Sequence, residues 1–255
     1  MKKTEQIKSI LKSEEIENTL RLISKWGNLT LKQIAMLLGC SERQAWRNVL
    51  KLEPYEYLTE NKGLGLICYK KFPHSAAKLF CATGLGLRAL GYLKEIKKEK
   101  GRIVKTPRWQ TKFNFYEDEH TTWCIKALNK HLGKGFSQKA YITPRNMTFS
   151  WSDIYSNIKE IWSSTIEARR PDLVVQKDKD KVCIEVEYMP KSDMRMRIIL
   201  RSLMALGDYA KRFNKTIIYA NDKNKTYTRW CRLVPYVEDN HKPKILEIRK
   251  LSELD

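Results

Sequence analysis

The sequence predicts an α/β protein, of the α+β kind, with a small helical N-terminal domain and a larger C-terminal domain built on a sheet. Apolar residues recur at helical spacing up to about residue 93, whereas β-branched runs begin only near residue 173. A basic stretch with Gly101 and Pro107 separates the two patterns. We therefore expect domains at residues 1–93 and 113–255, joined by a basic linker at 94–112. That linker could lie along phosphates or be a solvated loop.

The charge of the chain predicts a polyanionic partner. Lys and Arg number 49 against 29 Asp and Glu in 255 residues, which gives a formal net charge of +20. Such an excess favours binding to nucleic acid, here double-stranded DNA. Residues 1–112 hold 23 basic and only 10 acidic side chains, so most of the acids belong to the second domain.

The same composition excludes several classes of protein. A hydrophobic fraction of 42% indicates packed cores rather than disorder. No run approaches the roughly 20 apolar residues of a membrane helix, and the N-terminus lacks the apolar region of a secretory signal. The six cysteines form no CxxC pair, so we expect reduced, mostly buried thiols. We expect a cytoplasmic protein that does not bind membranes.

The first domain has the pattern of a helix-turn-helix. A helix with Ile16, Leu20 and Ile23 on one face ends at Gly27. Residues 31–38 then form a short helix, Gly39 permits a tight turn, and Ser41 caps a helix over 42–52. Two helices joined in this way place the second one in the major groove of DNA.

The polar face of that second helix predicts DNA contacts. Arg43, Gln44, Arg47 and Asn48 are expected to point outward, and such side chains match guanine and adenine edges. Two strand-like runs flank the turn-forming residues 61–63, which predicts a β-hairpin wing tipped by Lys62. Together these elements predict a winged helix. The alternative is a helical hairpin whose polar face meets only water.

The second domain begins with a helix whose first turn is acidic. The apolar spacing predicts a helix over residues 115–132, which opens with Glu117, Asp118, Glu119 and then His120. Acids in a first turn are equally explained by their favourable interaction with the helix dipole, and His120 could be structural.

Two β-branched runs after residue 171 predict a hairpin that brings acids together. Alternation along residues 182–188 puts Glu185 and Glu187 on one side of a strand, and pairing would bring Asp172 towards them. Acids on a buried strand need a neutralising cation. Mg²⁺ or Mn²⁺ suits carboxylates, although a salt bridge would also serve. The candidate cations for such a bridge are Arg195, Arg197 and Arg201.

The residues Pro171-Asp172 followed by Glu185-Val-Glu187 resemble the PD-(D/E)xK nuclease superfamily. The resemblance implies an αβββαβ restriction-endonuclease-like core in which Asp172 and Glu185 bind metal, with Glu119 as an additional acid. Glu187 stands where that superfamily has lysine. The missing cation could come from Lys191, or from Arg197 or Arg201.

The order of the elements over residues 15–220 resembles the plasmid replication-relaxation family, which includes the MobC-type relaxases. The resemblance rests on the helix-turn-helix, on Arg170-Pro171-Asp172 and on the acid-x-acid strand. It implies a nicking endonuclease that acts at a plasmid transfer or replication origin, as in mobilisation and conjugation. Its partners would be duplex DNA, a second copy of the chain, and other mobilisation or replication proteins. The same layout includes a long helix over residues 193–212, and beyond residue 220 we expect further strands at 229–237 and 245–248.

The resemblance also implies a mechanism. Asp172 and Glu185, with Glu119, would hold Mg²⁺ or Mn²⁺ on the scissile phosphate. Glu187 would orient or deprotonate water, His120 would assist proton transfer, and Arg201 or Arg197 would balance charge. A covalent scheme with Tyr188 or Tyr209 as nucleophile competes with hydrolysis. Two other functions remain as alternatives: a non-catalytic DNA-binding accessory protein with a degenerate nuclease fold, and a defence-type restriction enzyme.

Overall fold

The protein folds around two separate mixed sheets, one in each of two units at residues 1–118 and 119–255. The computed structural model describes residues 7, 9–57, 65–91, 118–143, 171–177, 179–209 and 211–255. The predicted linker at 94–112 lies outside them. In the described ranges, no helix is both long enough and apolar enough to cross a membrane. Its helices and two mixed sheets make the described part of the chain a mixed α/β protein.

The described part of the first unit includes a four-stranded sheet and the four helices named here. The helices are α1 (Glu14–Trp26), α2 (Leu31–Leu38), α3 (Glu42–Lys51) and α4 (Gly84–Ala89). The strands are β1 (Leu29–Thr30), β2 (Tyr55–Glu56), β3 (Ile67–Lys71) and β4 (Lys78–Ala82). Their order in the sheet is β1-β4-β3-β2, with only the β2–β3 pair parallel.

The predicted pair of helices, α2 and α3, is confirmed, and local hydrogen bonds explain its boundaries. Thr30 and Gln33 form a capping box at the start of α2, with Gln33 N donating to Thr30 Oγ1 at 3.3 Å. Gly39 ends α2 in the left-handed conformation, at φ 65°. Ser41 Oγ then accepts a hydrogen bond from Gln44 N at 3.2 Å and starts α3.

The predicted hairpin at residues 61–63 is wrong in its pairing. The strands on either side of that segment, β2 and β3, run parallel, so they cannot be the two arms of a hairpin. The antiparallel partner of β3 is β4, and Phe72 N donates to Ala77 O across the turn between them. This turn contains Pro73 and Ser75, which are good turn formers, and His74 has φ 58°. Lys62 lies outside the described residues.

Gly86 is required by a close approach of two backbones. A Cβ atom at Gly86 would lie 2.2 Å from the carbonyl oxygen of Leu66, whereas one at Gly84 would come no nearer than 3.9 Å to Arg88. We expect Gly86→Ala to lower the free energy of unfolding by about 3 kcal/mol, because the backbone must shift. Gly84→Ala, on the same helix, should change it by less than about 1 kcal/mol. Urea unfolding of both variants tests this, and equal effects would contradict it.

Lys25 is buried in the first unit, and its charge is a cost to the fold. Burial lowers the pKa of Lys25 from 10.5 to about 8. The cost is absent above pH 10.5, grows as the pH falls, and is complete below about pH 8. We expect Lys25→Met to raise the free energy of unfolding by about 2 kcal/mol at pH 7, with a smaller gain at pH 10. A gain that stays constant with pH, in urea titrations at both values, would contradict this explanation.

The second unit places helices on both faces of a five-stranded sheet. Its helices are α5 (Asp118–Leu132), α6 (Asp193–Met204) and α7 (Thr226–Leu233). Its strands are β5 (Tyr141–Ile142), β6 (Leu173–Lys177), β7 (Asp180–Glu187), β8 (Lys215–Ala220) and β9 (Leu246–Lys250). They lie in sequence order; β5, β6 and β7 pair antiparallel, and β7, β8 and β9 pair parallel.

The alternation along β7 decides which helix covers which face. Cys183 belongs to one buried cluster with Leu200 of α6 and Trp230 of α7. On the opposite face, His131 of α5 lies 3.0 Å from the hydroxyl of Tyr219, which is the register partner of Val186. The central strand is consequently buried on both sides, and so are the acids that it carries.

Two predictions about the end of the chain need correction. Residues 229–237 are not a strand but the end of α7 and a 3₁₀ turn, because the buried Trp230 and Leu233 follow a helical interval. The helix predicted to continue to residue 212 ends as α-helix at Met204 and is followed by a π-helical turn. The strand predicted near 245–248 is confirmed as β9.

Candidate active site

The register of the β6–β7 hairpin places Asp172 opposite Glu185. Leu173 pairs with Ile184, and the backbone N–H of Asp172 donates to Glu185 Oε2 at 3.1 Å. In the other direction, Val186 N donates to Asp172 Oδ2 at 2.8 Å. Glu185 is fully buried, and the Asp172 side chain is 12% exposed. The two acids therefore meet at the end of the hairpin, as the alternation predicts.

His120, in the first turn of α5, contacts the same aspartate. Its Nε2 lies 3.1 Å from Asp172 Oδ2 and 3.2 Å from Val186 O. Since both neighbours are acceptors, Nε2 carries the proton. Burial lowers the pKa of His120, but interactions with Cys124 and Asp172 outweigh it and raise the pKa. Since a protonated thiol adds no charge, it is the contact with Asp172 that favours the imidazolium form of His120.

Cys124 completes a cluster that the sequence analysis missed. One ligand atom each from His120, Cys124 and Asp172 lies within 4.8 Å of the others. The signal was the spacing of His120 and Cys124, because residues four apart share a helix face. Burial raises the pKa of the Cys124 thiol to about 11, which keeps it protonated at neutral pH.

The donor set decides which metal fits. Asp172 and Glu185 offer carboxylate oxygens at one end of the hairpin, which is the chemistry that Mg²⁺ and Mn²⁺ prefer. The neighbouring set of His120, Cys124 and Asp172 offers the nitrogen and sulfur ligands that a softer ion such as Zn²⁺ uses. Asp172 and Glu185 by themselves fit the hard divalent ion predicted from the sequence.

A lysine forms an ion pair with Glu187, the second glutamate on β7. Glu187 is fully buried, and the ammonium of Lys191 forms an ion pair with its Oε2. Lys191 is only 19% exposed itself, so the pair is largely shielded from water. Of the three cations considered from the sequence, Lys191 is the one that this contact brings to the acids.

Two predicted site residues, Arg201 and Glu119, contact residues other than Asp172 and Glu185. Arg201 is eight residues into α6, about 12 Å along the helix from its start, and its Nη2 is 3.3 Å from His241 Nδ1. Glu119 is exposed and hydrogen-bonded to Tyr188, which raises the pKa of that phenol. The structure therefore does not bring Arg201 to Asp172, and it places Glu119 on Tyr188. The side chain of Tyr209 lies outside the described residues.

The outward face of α3 differs from the prediction at one residue. Arg43 and Arg47 are exposed and Gln44 is half-buried, but Asn48 is buried. The amide of Gln44 donates to Asn48 Oδ1 at 3.4 Å. Asn48 lies beside Val49 on the inward arc of the helix, so the prediction that it points outward is wrong.

Comparison with known proteins gives no match. No protein-family model, curated protein or solved structure matches the chain.

Proposed function

We propose that the protein is a cytoplasmic, sequence-specific DNA-binding endonuclease that uses Mg²⁺ or Mn²⁺ to nick a plasmid at its transfer or replication origin. The observation that carries the proposal is the meeting of Asp172 and Glu185 at the end of the β6–β7 hairpin. The order of the described elements, α5-β5-β6-β7-α6-β8, supports it, because it agrees with the αβββαβ order of the PD-(D/E)xK nucleases. The protein would then be a relaxase of the replication-relaxation type.

In this proposal the charged residues around the end of the β6–β7 hairpin have separate roles in hydrolysis. Asp172 and Glu185 hold the divalent ion, which when bound polarises the scissile phosphoryl group and acidifies a water molecule. His120 keeps its proton on Nε2 and orients Asp172 through the 3.1 Å contact. Lys191 neutralises Glu187, so that this buried acid adds no uncompensated negative charge beside the metal ligands.

The first unit would find the site on duplex DNA. In this proposal it is a winged helix with α3 in the major groove, where the exposed Arg43 and Arg47 read guanine edges. The β3–β4 hairpin serves as the wing in place of residues 61–63. Its lysines Lys71 and Lys78 are suited to neighbouring phosphates.

A plasmid-nicking assay tests the catalytic proposal. Supercoiled plasmid that carries the native element is incubated with the protein and with Mg²⁺, Mn²⁺ or EDTA. We expect open circles only with metal, and none with Asp172→Ala or Glu185→Ala. Cutting by both variants at the wild-type rate would place the reaction elsewhere.

One observation favours a second candidate, a DNA-binding accessory protein without catalysis. Asp172 Oδ2 already accepts hydrogen bonds from Val186 N and His120 Nε2, so the acid could serve the fold alone. Binding to the element without cutting under any metal would establish this candidate.

The covalent alternative receives less support than hydrolysis. The hydrogen bond with Glu119 raises the pKa of Tyr188, so its phenol ionises less readily than an ordinary one. A protein–DNA adduct that disappears in Tyr188→Phe would overturn the hydrolytic mechanism.

A further inference from the structure

We propose that the second unit carries a separate site for single-stranded DNA, in a groove between α6 and α7. The groove measures about 410 Å³ and lies on the side of the sheet covered by those two helices. Its lining consists of Asp193, Arg197, Arg229, Arg232, Leu233 and Tyr236. None of these residues is a metal ligand in the proposed nuclease centre.

The topology of the sheet explains why the arginines converge. The parallel strands β7 and β8 end at the same edge, and each is followed by its helix, α6 or α7. An ion pair between Arg229 Nη2 and Asp193 Oδ1, at 2.8 Å, joins the first turns of the two helices. Arg197 and Arg232 follow one turn later on their respective helices, and both line the groove.

The charge of the groove suits phosphates. Three arginines face one aspartate, which leaves a formal charge of +2. Among the ion pairs of the described residues, the Arg229–Asp193 pair is the one that lies in the groove. Arg197 and Arg232 can therefore offer their guanidinium groups to phosphate oxygens in the two-pronged geometry that arginine favours.

Tyr236 indicates that the ligand is single-stranded. Tyr236 is 76% exposed and lines the groove together with the arginines. An aromatic ring beside a basic channel is the arrangement on which unpaired bases stack. Bases inside a duplex are already stacked on each other and cannot offer a face to this ring. A phosphate-binding groove lined by an exposed tyrosine thus selects an unpaired strand.

The groove opens close to the proposed nuclease centre. The Nδ2 atoms of Asn221 and Asn224 both donate to Tyr188 O, at 3.1 and 3.0 Å, and so tie the start of α7 to the end of β7. Asp193 is two residues after Lys191. A strand released by nicking would reach the groove directly; this biological role rests on the proposed function, whereas binding itself does not.

Fluorescence anisotropy with the full chain in EDTA tests the proposal. The probes are a labelled single-stranded dT oligonucleotide of roughly 20 nucleotides and a random-sequence duplex of the same length. We expect Tyr236→Ala to weaken single-strand binding about tenfold and Tyr236→Trp to preserve it. Arg197→Ala combined with Arg232→Ala should flatten the slope of log K against log salt by about 1.4, since two phosphate contacts are lost.

The matched control is Arg195→Ala, which removes an exposed arginine of the same helix that does not line the groove. It should leave single-strand binding within about twofold of wild type. An equal loss in the control, or an equal loss of duplex binding in the groove variants, would contradict a single-strand site. Thermal melting checks that each variant is folded.

The two proposals fail separately. Protein that binds single strands through the groove but never nicks DNA overturns the nuclease proposal and leaves the groove in place. Protein that nicks DNA, but whose groove variants bind single strands as tightly as wild type, overturns the groove and leaves the nuclease.

Discussion

Replacing Asp172 by asparagine should lower the rate of plasmid nicking at least about a thousandfold. The amide keeps the shape of the carboxylate, and its oxygen can still accept the hydrogen bond from Val186 N. It loses the negative charge that would hold a divalent ion and that pairs with the His120 imidazolium. The rate is measured as the conversion of supercoiled plasmid to open circles at saturating Mn²⁺.

The matched control is Asp180→Asn, at the other end of the same hairpin. Asp180 Oδ1 accepts a hydrogen bond from Asn214 Nδ2 at 3.0 Å, and an asparagine oxygen can do the same. This variant should nick at the wild-type rate. If Asp172→Asn retains more than about a tenth of that rate, the carboxylate of Asp172 is not the metal ligand that we propose.

Replacing Lys191 by methionine should lower the free energy of unfolding by about 3 kcal/mol. Glu187 is fully buried, so removal of the ammonium that pairs with it leaves a carboxylate charge in a region without bulk water. Methionine preserves the length and apolar stem of the side chain, so packing alone changes little. Urea denaturation at pH 7 measures the loss.

Two further variants distinguish the effect of losing a buried ion pair on stability from the effect of losing an exposed one. Lys242→Met breaks an ion pair with Asp239, which is 97% exposed, and should cost less than about 1 kcal/mol. Glu187→Gln combined with Lys191→Met should recover most of the lost stability, because both charges are then gone. If the double variant is as unstable as Lys191→Met alone, the loss comes from packing and not from the buried charge.

The alternation along β7 is what made the candidate site predictable. A strict period of two puts Glu185 and Glu187 on one face, and a short hairpin fixes the register that brings Asp172 to Glu185. The boundary between helices α2 and α3 was equally predictable because Gly39 and Ser41 carry local signals for a turn and a cap. Local signals in the sequence are therefore sufficient to predict these elements.

The parts that could not be predicted depend on long-range packing. The pairing of β3 with β4, rather than with β2, follows from a sheet in which β4 also pairs with β1. Asn48 looks like a DNA-reading residue by type, but the fold of the first unit covers it. The position of Cys124 near Asp172 depends on how α5 packs against the end of the hairpin. The ion pair of Lys191 with Glu187 depends on the path of the chain after β7.

The measurement that tests the central claim most directly is the mapping of nicks on a plasmid that carries the native element. Wild-type protein is supplied with Mg²⁺ or with EDTA, and primer extension locates breaks on each strand. We predict one break at a fixed position, present only with Mg²⁺ and with ends free of protein. No break under Mg²⁺ or Mn²⁺, or a break that persists in EDTA, would contradict a metal-dependent nuclease centred on Asp172 and Glu185.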